Sequence, residues 1–364
     1  MSRSRLILSA LLLAVSGAAL SAPATPAAAE EAEADANAVA ERYATLLERD
    51  YVYPETGQRY AAAIRAGIVA GRYAPLAGAA LARALDADVN AVQPDGHLHV
   101  RPPEGAAPPP DAHPGKPRGP KPPVEQAGWI APGIAFIRFN LFPDDAAVTA
   151  TAATFMADHA DARAIVFDIR TNGGGGIEQM NVIFPWLFDR PTRLVTMATR
   201  ASVDESGEGP LDEDVGLRLV AGDPGMVTRE HWVTPNGDAR LRDAKVYVLT
   251  SGGTGSAAEH FALAMKHTRR GVLVGSATGG ANHFGRGESL GGGFQAFIPV
   301  GRTYDPVTGE DWEGDGVQPD IAVAPADALV RVLTDLGVAV DAAQRLSDAH
   351  RPAWPMERPR RRAS

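Results

Sequence analysis

From Asn37 to about Val92, apolar residues recur every three to four positions: Val39, Tyr43 and Leu46 or Leu47; then Tyr60, Ile64 and Ile68; then Leu81, Leu85 and Val89. Residues so spaced share one face of a helix and must be buried together, so the pattern predicts a small helical subdomain. Its helices are punctuated by the proline and glycine of "DYVYPETG" and "GRYAPLAG". The helical rhythm ends at "QPDGHLHVRPP", where Asp95-Gly96 reads as a turn and His97 to Val100 as a short strand. From Pro102 to Pro123 repeated prolines remove backbone donors and fix φ, which predicts an exposed linker or surface loop.

Beyond it strands and helices alternate. "GIAFIRF" predicts a strand, Ala146 to Asp158 a helix, and "AIVFDI" a buried strand. "GIEQMNVIFPWLF" predicts a helix, "RLVTMAT" a strand and "KVYVLT" a second buried strand. "SAAEHFALAMKH" follows as a helix, "GVLVG" and the alternating "GFQAFIPV" as strands, and "PADALVRVLTDLG" as a closing helix. Such alternation predicts an α/β fold with a mostly parallel sheet and helices packed on it. The expected organisation is a signal segment at residues 1–29, the helical subdomain at 30–101 and the linker at 102–123. A core at 124–330 and a C-terminal helix with a solvated basic tail at 331–364 complete it.

The first residues change the picture of destination. Arg3 and Arg5 precede a short apolar run, Leu6 to Val15, and small residues follow, with cleavage expected near Ala22 or after Ala27-Ala28-Ala29. This reads as an export signal leading to a periplasm or the cell exterior, and the run is too short to span a ~30 Å hydrocarbon core. No membrane span is expected once the signal is removed. The net charge of −9, without any basic stripe, argues against a nucleic-acid partner. The absence of cysteine excludes disulfides, thiolate metal sites and a cysteine nucleophile.

Glycine-dense loops follow three predicted strands: "DIRTNGGGG", "TSGGTGS" and "GSATGGANHFG". Ligands of parallel sheets bind beyond the strands' carboxyl ends, and glycine there permits close approach of backbone to ligand. Ser256 opens a helix, so its hydroxyl sits beside unpaired N–H groups: a plain N-cap, or a nucleophile with the Ala257 N–H as one oxyanion donor and a glycine of "NGGGG" as another. "TNGGGG" lacks the lysine and hydroxyl residue of a phosphate loop. Asp168 and Arg170 beside it read as a local ion pair. His97 and His99 would share one side of a strand, a conceivable zinc pair, but no third ligand has suitable spacing. His97 as a base, with His99 in packing, is the better division, and His283 is held in reserve. Trp312 reads as an anchor for its loop, and Glu313 beside it as a carboxylate able to orient a histidine or as a plain loop acid.

In this order "DGHLHV", "GIAFIRF", "AIVFDIRTNGGGG", "VYVLTSGGTGSAAEHFALAM", "GVLVGSATGGA" and "WEGDGVQPDIAV" resemble the tail-specific, or C-terminal processing, serine peptidases. The similarity is to the branch with tricorn protease cores and the repeats of interphotoreceptor retinoid-binding protein. It implies a crotonase-like core, Ser256 as nucleophile, and an oxyanion hole from Ala257 with Gly173 or Gly174. Dyad members of the family place a lysine where Ala281 stands, so the resemblance implies another base: His97, oriented by Glu313. They also carry a PDZ domain where only the proline-rich stretch stands here, which implies that no PDZ domain is present. The resemblance implies a polypeptide substrate and neither metal nor cofactor. Two alternatives remain: a non-catalytic binder of apolar, retinoid-like or lipid-like ligands on a degenerate peptidase core, and a crotonase-type enzyme acting on acyl thioesters. Oligomeric state is not legible.

Overall fold

A computed structural model describes residues 35–104, 120–207 and 216–357. The expected signal segment, most of the proline-rich stretch and the basic end of the tail lie outside these residues.

The three helices form where the periodicity puts them: α1 (Ala36–Asp50), α2 (Pro54–Val69) and α3 (Gly78–Val92). Asp35 caps α1 by accepting from the N–H groups of Asn37 and Ala38, at 2.9 and 3.4 Å. Pro54 begins α2, where its missing N–H has no intrahelical partner to lose. The stripe Val39, Tyr43, Leu47, Tyr60, Ile64 and Leu85 is buried in one cluster with Leu290, Phe294, Ala296, Ile298 and Val300. The helical segment thus has no core of its own and is completed by residues from late in the chain. Strand β1 (His99–Arg101) is shorter than expected. His97 and Leu98 stay in the turn because the Asp95 carboxylate takes both of their N–H groups, at 2.7 and 3.3 Å.

The core then runs β2 (Val124–Ala131), β3 (Ile134–Phe139), α4 (Ala146–Asp158), β4 (Ala164–Asp168) and α5 (Glu178–Ile183). Next come β5 (Thr192–Arg200), α6 (Ala201–Glu205), β6 (Leu217–Val220), β7 (Met226–Val233) and β8 (Lys245–Thr250). Last are α7 (Ala257–His267), β9 (Val272–Gly275), β10 (Phe284–Gly291), β11 (Phe294–Tyr304), β12 (Ile321–Ala322), α8 (Ala328–Asp335) and α9 (Val340–Ala349). Helix α5 is shorter than expected and gives way to a 3₁₀ turn at Phe184–Trp186, where Pro185 has no N–H to continue the ladder.

The architecture is mixed α/β with two sheets. One has the order β12-β9-β8-β4-β3-β2 and is parallel apart from the β2–β3 hairpin. The other, β1-β11-β5-β7-β6 with β10 on β11, is antiparallel throughout. A mostly parallel sheet therefore describes the first sheet only; "RLVTMAT" and "GFQAFIPV" belong to the second. The physical reason is local. Gly291, Gly292 and Gly293 all take positive φ and turn β10 straight back into β11, whereas a parallel neighbour needs a long crossover.

Helix α7 is buried along Ala257, Ala258, Phe261, Ala262, Ala264 and Met265, in a cluster that includes Phe142, Phe167 and Phe184. Strands β4, β8 and β9 run parallel side by side, so the three glycine-dense loops that follow them emerge at the same end of that sheet. Beneath two of them lies a buried ion cluster. Asp168 accepts from Arg138 at 2.8 Å and from Arg170 at 2.9 and 2.7 Å, which extends the expected Asp168–Arg170 pair by a second arginine. Burial opposes ionisation of Asp168, but the two guanidiniums outweigh it and hold the carboxyl down at about 2. No helix among the described residues is long and apolar enough to cross a membrane.

Candidate active site

Ser256 is the N-cap of α7 and has φ +54 and ψ −124, a backbone conformation that a residue with a Cβ rarely adopts. Such strain costs on the order of 1–3 kcal/mol and persists only where its surroundings enforce it. Glu259 does much of the enforcing. Its buried carboxylate accepts the Ser256 N–H at 2.7 Å, the Thr278 hydroxyl at 2.6 Å, and the N–H groups of Gly280 and Ala281 at 2.8 and 2.9 Å. Burial pushes the Glu259 carboxyl up, and the four donors only partly offset it. The side chain ties the start of α7 to the loop after β9. Its signal in the sequence is the Ser-x-x-Glu spacing of a capping box.

The loop after β4 closes the other side. Gly174 has φ +107, and a Cβ on it would fall 2.7 Å from the Ser256 Cβ and 3.2 Å from the Ala257 nitrogen. Only glycine fits there. The Asn172 carbonyl accepts the Gly255 N–H at 2.9 Å, joining the two loops directly. As the first residue of its helix Ala257 has an N–H with no intrahelical acceptor. The glycine donors are engaged within the protein: Gly173 N–H with the Asn140 carbonyl at 3.2 Å, and Gly174 N–H with Asn172 Oδ1 at 2.8 Å.

His97 is half-buried, with its ring stacked 5.5 Å from Phe297. His99 stacks on the same phenylalanine at 6.2 Å, and its Nδ1 lies 2.7 Å from the His97 carbonyl. Ser256 Oγ and the His97 ring are not hydrogen-bonded to each other among the described residues. They are linked through Ala281, whose N–H reaches the same Glu259 oxygen as that of Ser256. The Ala281 Cβ also lies 3.6 Å from where a Cβ on Gly96 would be.

Glu313 stands against the turn that carries His97. Its Oε1 accepts the Gly96 N–H at 3.1 Å, and its Oε2 accepts those of Asn282 and His283 at 2.7 and 3.3 Å. Burial pushes its carboxyl up, as does the charge of Asp95, while His283 pulls it down. The neighbouring Trp312 is buried in the core, as an anchor of this loop should be.

The residue that sequence reasoning underused is His283, which is 2% exposed. Its Nδ1 lies 2.7 Å from Asp95 Oδ2 and 3.7 Å from Glu313 Oε2, and the Tyr51 hydroxyl donates to the same Asp95 oxygen at 2.8 Å. Asp95, His283 and Glu313 thus form one hydrogen-bonded cluster, their ligand-type atoms within 4.8 Å of one another. A cavity of about 570 Å³ opens beside it, lined by Tyr53, Gln93, Gly96, Gly280, His283 and Glu313. Its Gly279 wall donates to the Thr254 carbonyl at 2.7 Å, so the cavity borders the loop that leads into Ser256.

One turn along α7 from Ser256, His260 Nε2 lies 2.9 Å from His231 Nδ1, and His231 Nε2 lies 2.9 Å from Asn181 Oδ1. Burial pulls His231 down to about 4 and His260 well below its ordinary value, so this is a neutral structural chain. His267 lies 3.4 Å from Asp305, away from these groups.

Residues 133–323 match the model of peptidase family S41. A candidate peptidase from Parabacteroides merdae has a similar structure, with 15% identity and a TM-score of 0.59 over 84% of this chain and 98% of that one. The photosystem II D1 C-terminal processing protease shares 24% identity with a TM-score of 0.39, over 53% of this chain and 42% of that chain. For the tricorn protease the values are 17% and 0.31, over 60% of this chain and 18% of that one. This chain therefore spans less than half the length of these last two proteins.

Proposed function

The chain belongs to peptidase family S41, and from that premise we propose that it is a serine peptidase that hydrolyses polypeptides through an acyl-enzyme on Ser256. The observation that carries the reading is the strained backbone of Ser256, at φ +54, wedged between Gly174 and the open N–H of Ala257. An N-cap alone needs no such strain; a hydroxyl presented to a carbonyl beside an oxyanion donor does.

His97 removes the Ser256 proton as Oγ attacks the scissile carbonyl, and Glu313 orients the turn that holds the imidazole. The developing oxyanion is taken by the Ala257 N–H and by a glycine N–H, Gly173 or Gly174, released from its internal acceptor. His97 then gives its proton to the leaving amine, and a water regenerates the serine by the reverse sequence. Lysine cannot serve at Ala281, whose Cβ instead packs beside the Gly96 turn. The ring-to-hydroxyl hydrogen bond forms as the peptide enters the cavity, since catalytic hydrogen bonds that are long or poorly aligned without substrate often tighten only in its complex.

The core is read as crotonase-like, and the proline-rich stretch as a linker in place of a PDZ domain, so that peptides are selected by the cleft. His283, Glu313, Gln93 and glycine backbone in the cavity lining offer a peptide hydrogen-bonding partners. Export by the N-terminal signal belongs to the same reading. The decisive test is turnover of unstructured polypeptides. Ser256→Ala and His97→Ala should each lower kcat by at least about 10³-fold with unchanged circular dichroism; an active Ser256→Ala protein would contradict the reading.

A further inference from the structure

Each carboxylate of the Asp95–Glu313 pair uses one oxygen on His283 and the other on the turn that carries His97. Asp95 puts Oδ2 on the His283 ring nitrogen at 2.7 Å and Oδ1 on the His97 N–H at 2.7 Å. Glu313 puts Oε2 on the His283 N–H at 3.3 Å and Oε1 on the Gly96 N–H at 3.1 Å. His283 thus closes a ring of hydrogen bonds around the Gly96-His97 turn. We propose that His283 is a positioning residue that holds the Asp95 turn and the Glu313 loop together and so fixes where His97 stands relative to Ser256. The proposal rests on the peptidase reading above and adds a residue and a pH response to it.

Electrostatics make the bridge necessary. The Asp95 and Glu313 oxygens and the His283 ring nitrogen lie within 4.8 Å of one another, with Asp95 buried and the Glu313 side chain 20% exposed. Two poorly hydrated carboxylates at that spacing repel, and an imidazolium between them removes the repulsion. The groups facing His283 are Tyr51 and Tyr53 from the α1–α2 connection, edge-on at 6.2 and 5.4 Å, Asp95 from the turn, and Asp311 with Glu313 from their loop. Arg302 of β11 is engaged by Asp311 at 3.4 Å and does not replace the histidine. Both tyrosines are pushed up by burial and remain neutral. Nε2 has no hydrogen-bond partner among the described residues, so the ring holds the site through its Nδ1 edge.

The sign of the pH response follows. Burial pulls His283 down, but the hydrogen bond and charge of Asp95, then the charges of Glu313 and Asp311, outweigh it and leave its pKa raised. The bridge is complete at low pH and is lost as pH rises through that raised value, giving an alkaline fall in kcat with little change in KM.

His283→Asn keeps a donor toward Asp95 without the charge. It should lower kcat at neutral pH by roughly 10- to 100-fold, as expected for a displaced catalytic group, and it should abolish the alkaline limb of the pH profile. A merely structural histidine would leave that limb in place. In parallel, nitrogen-15 NMR of the imidazole in Ser256→Ala protein should show His283 titrating above the ordinary histidine range, with its titration moved down by Glu313→Gln. A His283 that titrates at or below the ordinary range, or an unmoved alkaline limb in an active His283→Asn protein, overturns this inference alone. A wild-type protein that neither cuts peptides nor takes a serine-directed probe overturns the peptidase reading and this inference with it.

Discussion

Ser256 and Glu259 act as one unit: the first holds a costly backbone angle, and the second supplies the acceptor that stabilises it. Replacing Glu259 by Gln leaves an amide nitrogen facing two of the four donors. Buried donors without acceptors cost about 1–3 kcal/mol each. The variant should therefore unfold at lower urea concentration and lose on the order of 10²-fold in kcat as Ser256 shifts; wild-type kinetics and stability together would contradict the clamp. Part of this was legible in the sequence. Ser256, Ala257 and the glycines stand out because strand-turn-helix chemistry is local, and Ser-x-x-Glu is a local spacing too. The Asp95–His283 pair was not legible, because 188 residues separate the partners, although the glycine-dense loop marked His283 as a reserve candidate. The engagement of the Gly173 N–H was hidden for the same reason, since its acceptor Asn140 lies on a different connection.

Among the elements, α7 carries most of the burden, presenting Ser256 at its start and His260 one turn later. The neutral His260–His231–Asn181 chain fastens that turn to β7. With its folded pKa depressed by burial from 6.5 to about 4, His231 contributes stability that is fully present above pH 6.5 and is lost as pH falls toward 4. His231 by itself should withdraw on the order of 2 kcal/mol of unfolding free energy between pH 6.5 and about pH 5. Urea titrations of wild type and His231→Gln check this: the variant should show a clearly shallower decline, and parallel declines would count against it. At this scale the sequence was most informative where periodicity is strong, as in Ala146–Asp158, which forms its helix as expected. It was least informative about partners. A period of two in "GFQAFIPV" marks a strand but not its sheet, and the antiparallel layer arises from turns and long-range pairing.

In the whole molecule, helices from the start of the chain and strands from its end share one core, and the end of the chain returns to the loop that leads into Ser256. The Met356 carbonyl accepts the Gly253 N–H at 2.7 Å and also the Ser251 hydroxyl. Arg138, part of the buried Asp168 cluster, donates to the His350 carbonyl. The His350 and Met356 carbonyls therefore brace the site, a role that composition could not suggest because backbone groups, not side chains, make these contacts. Destination is argued at this scale as well. N-terminal sequencing of mature protein should begin beyond residue 22, and a start at Met1 in exported material would contradict the signal. The most direct measurement of the central claim is reaction with a fluorophosphonate, with the modified residue mapped by mass spectrometry. The account predicts one adduct, on Ser256, formed far more slowly in His97→Ala protein and absent from Ser256→Ala; an unmodified wild-type protein, or labelling that survives Ser256→Ala, would contradict it.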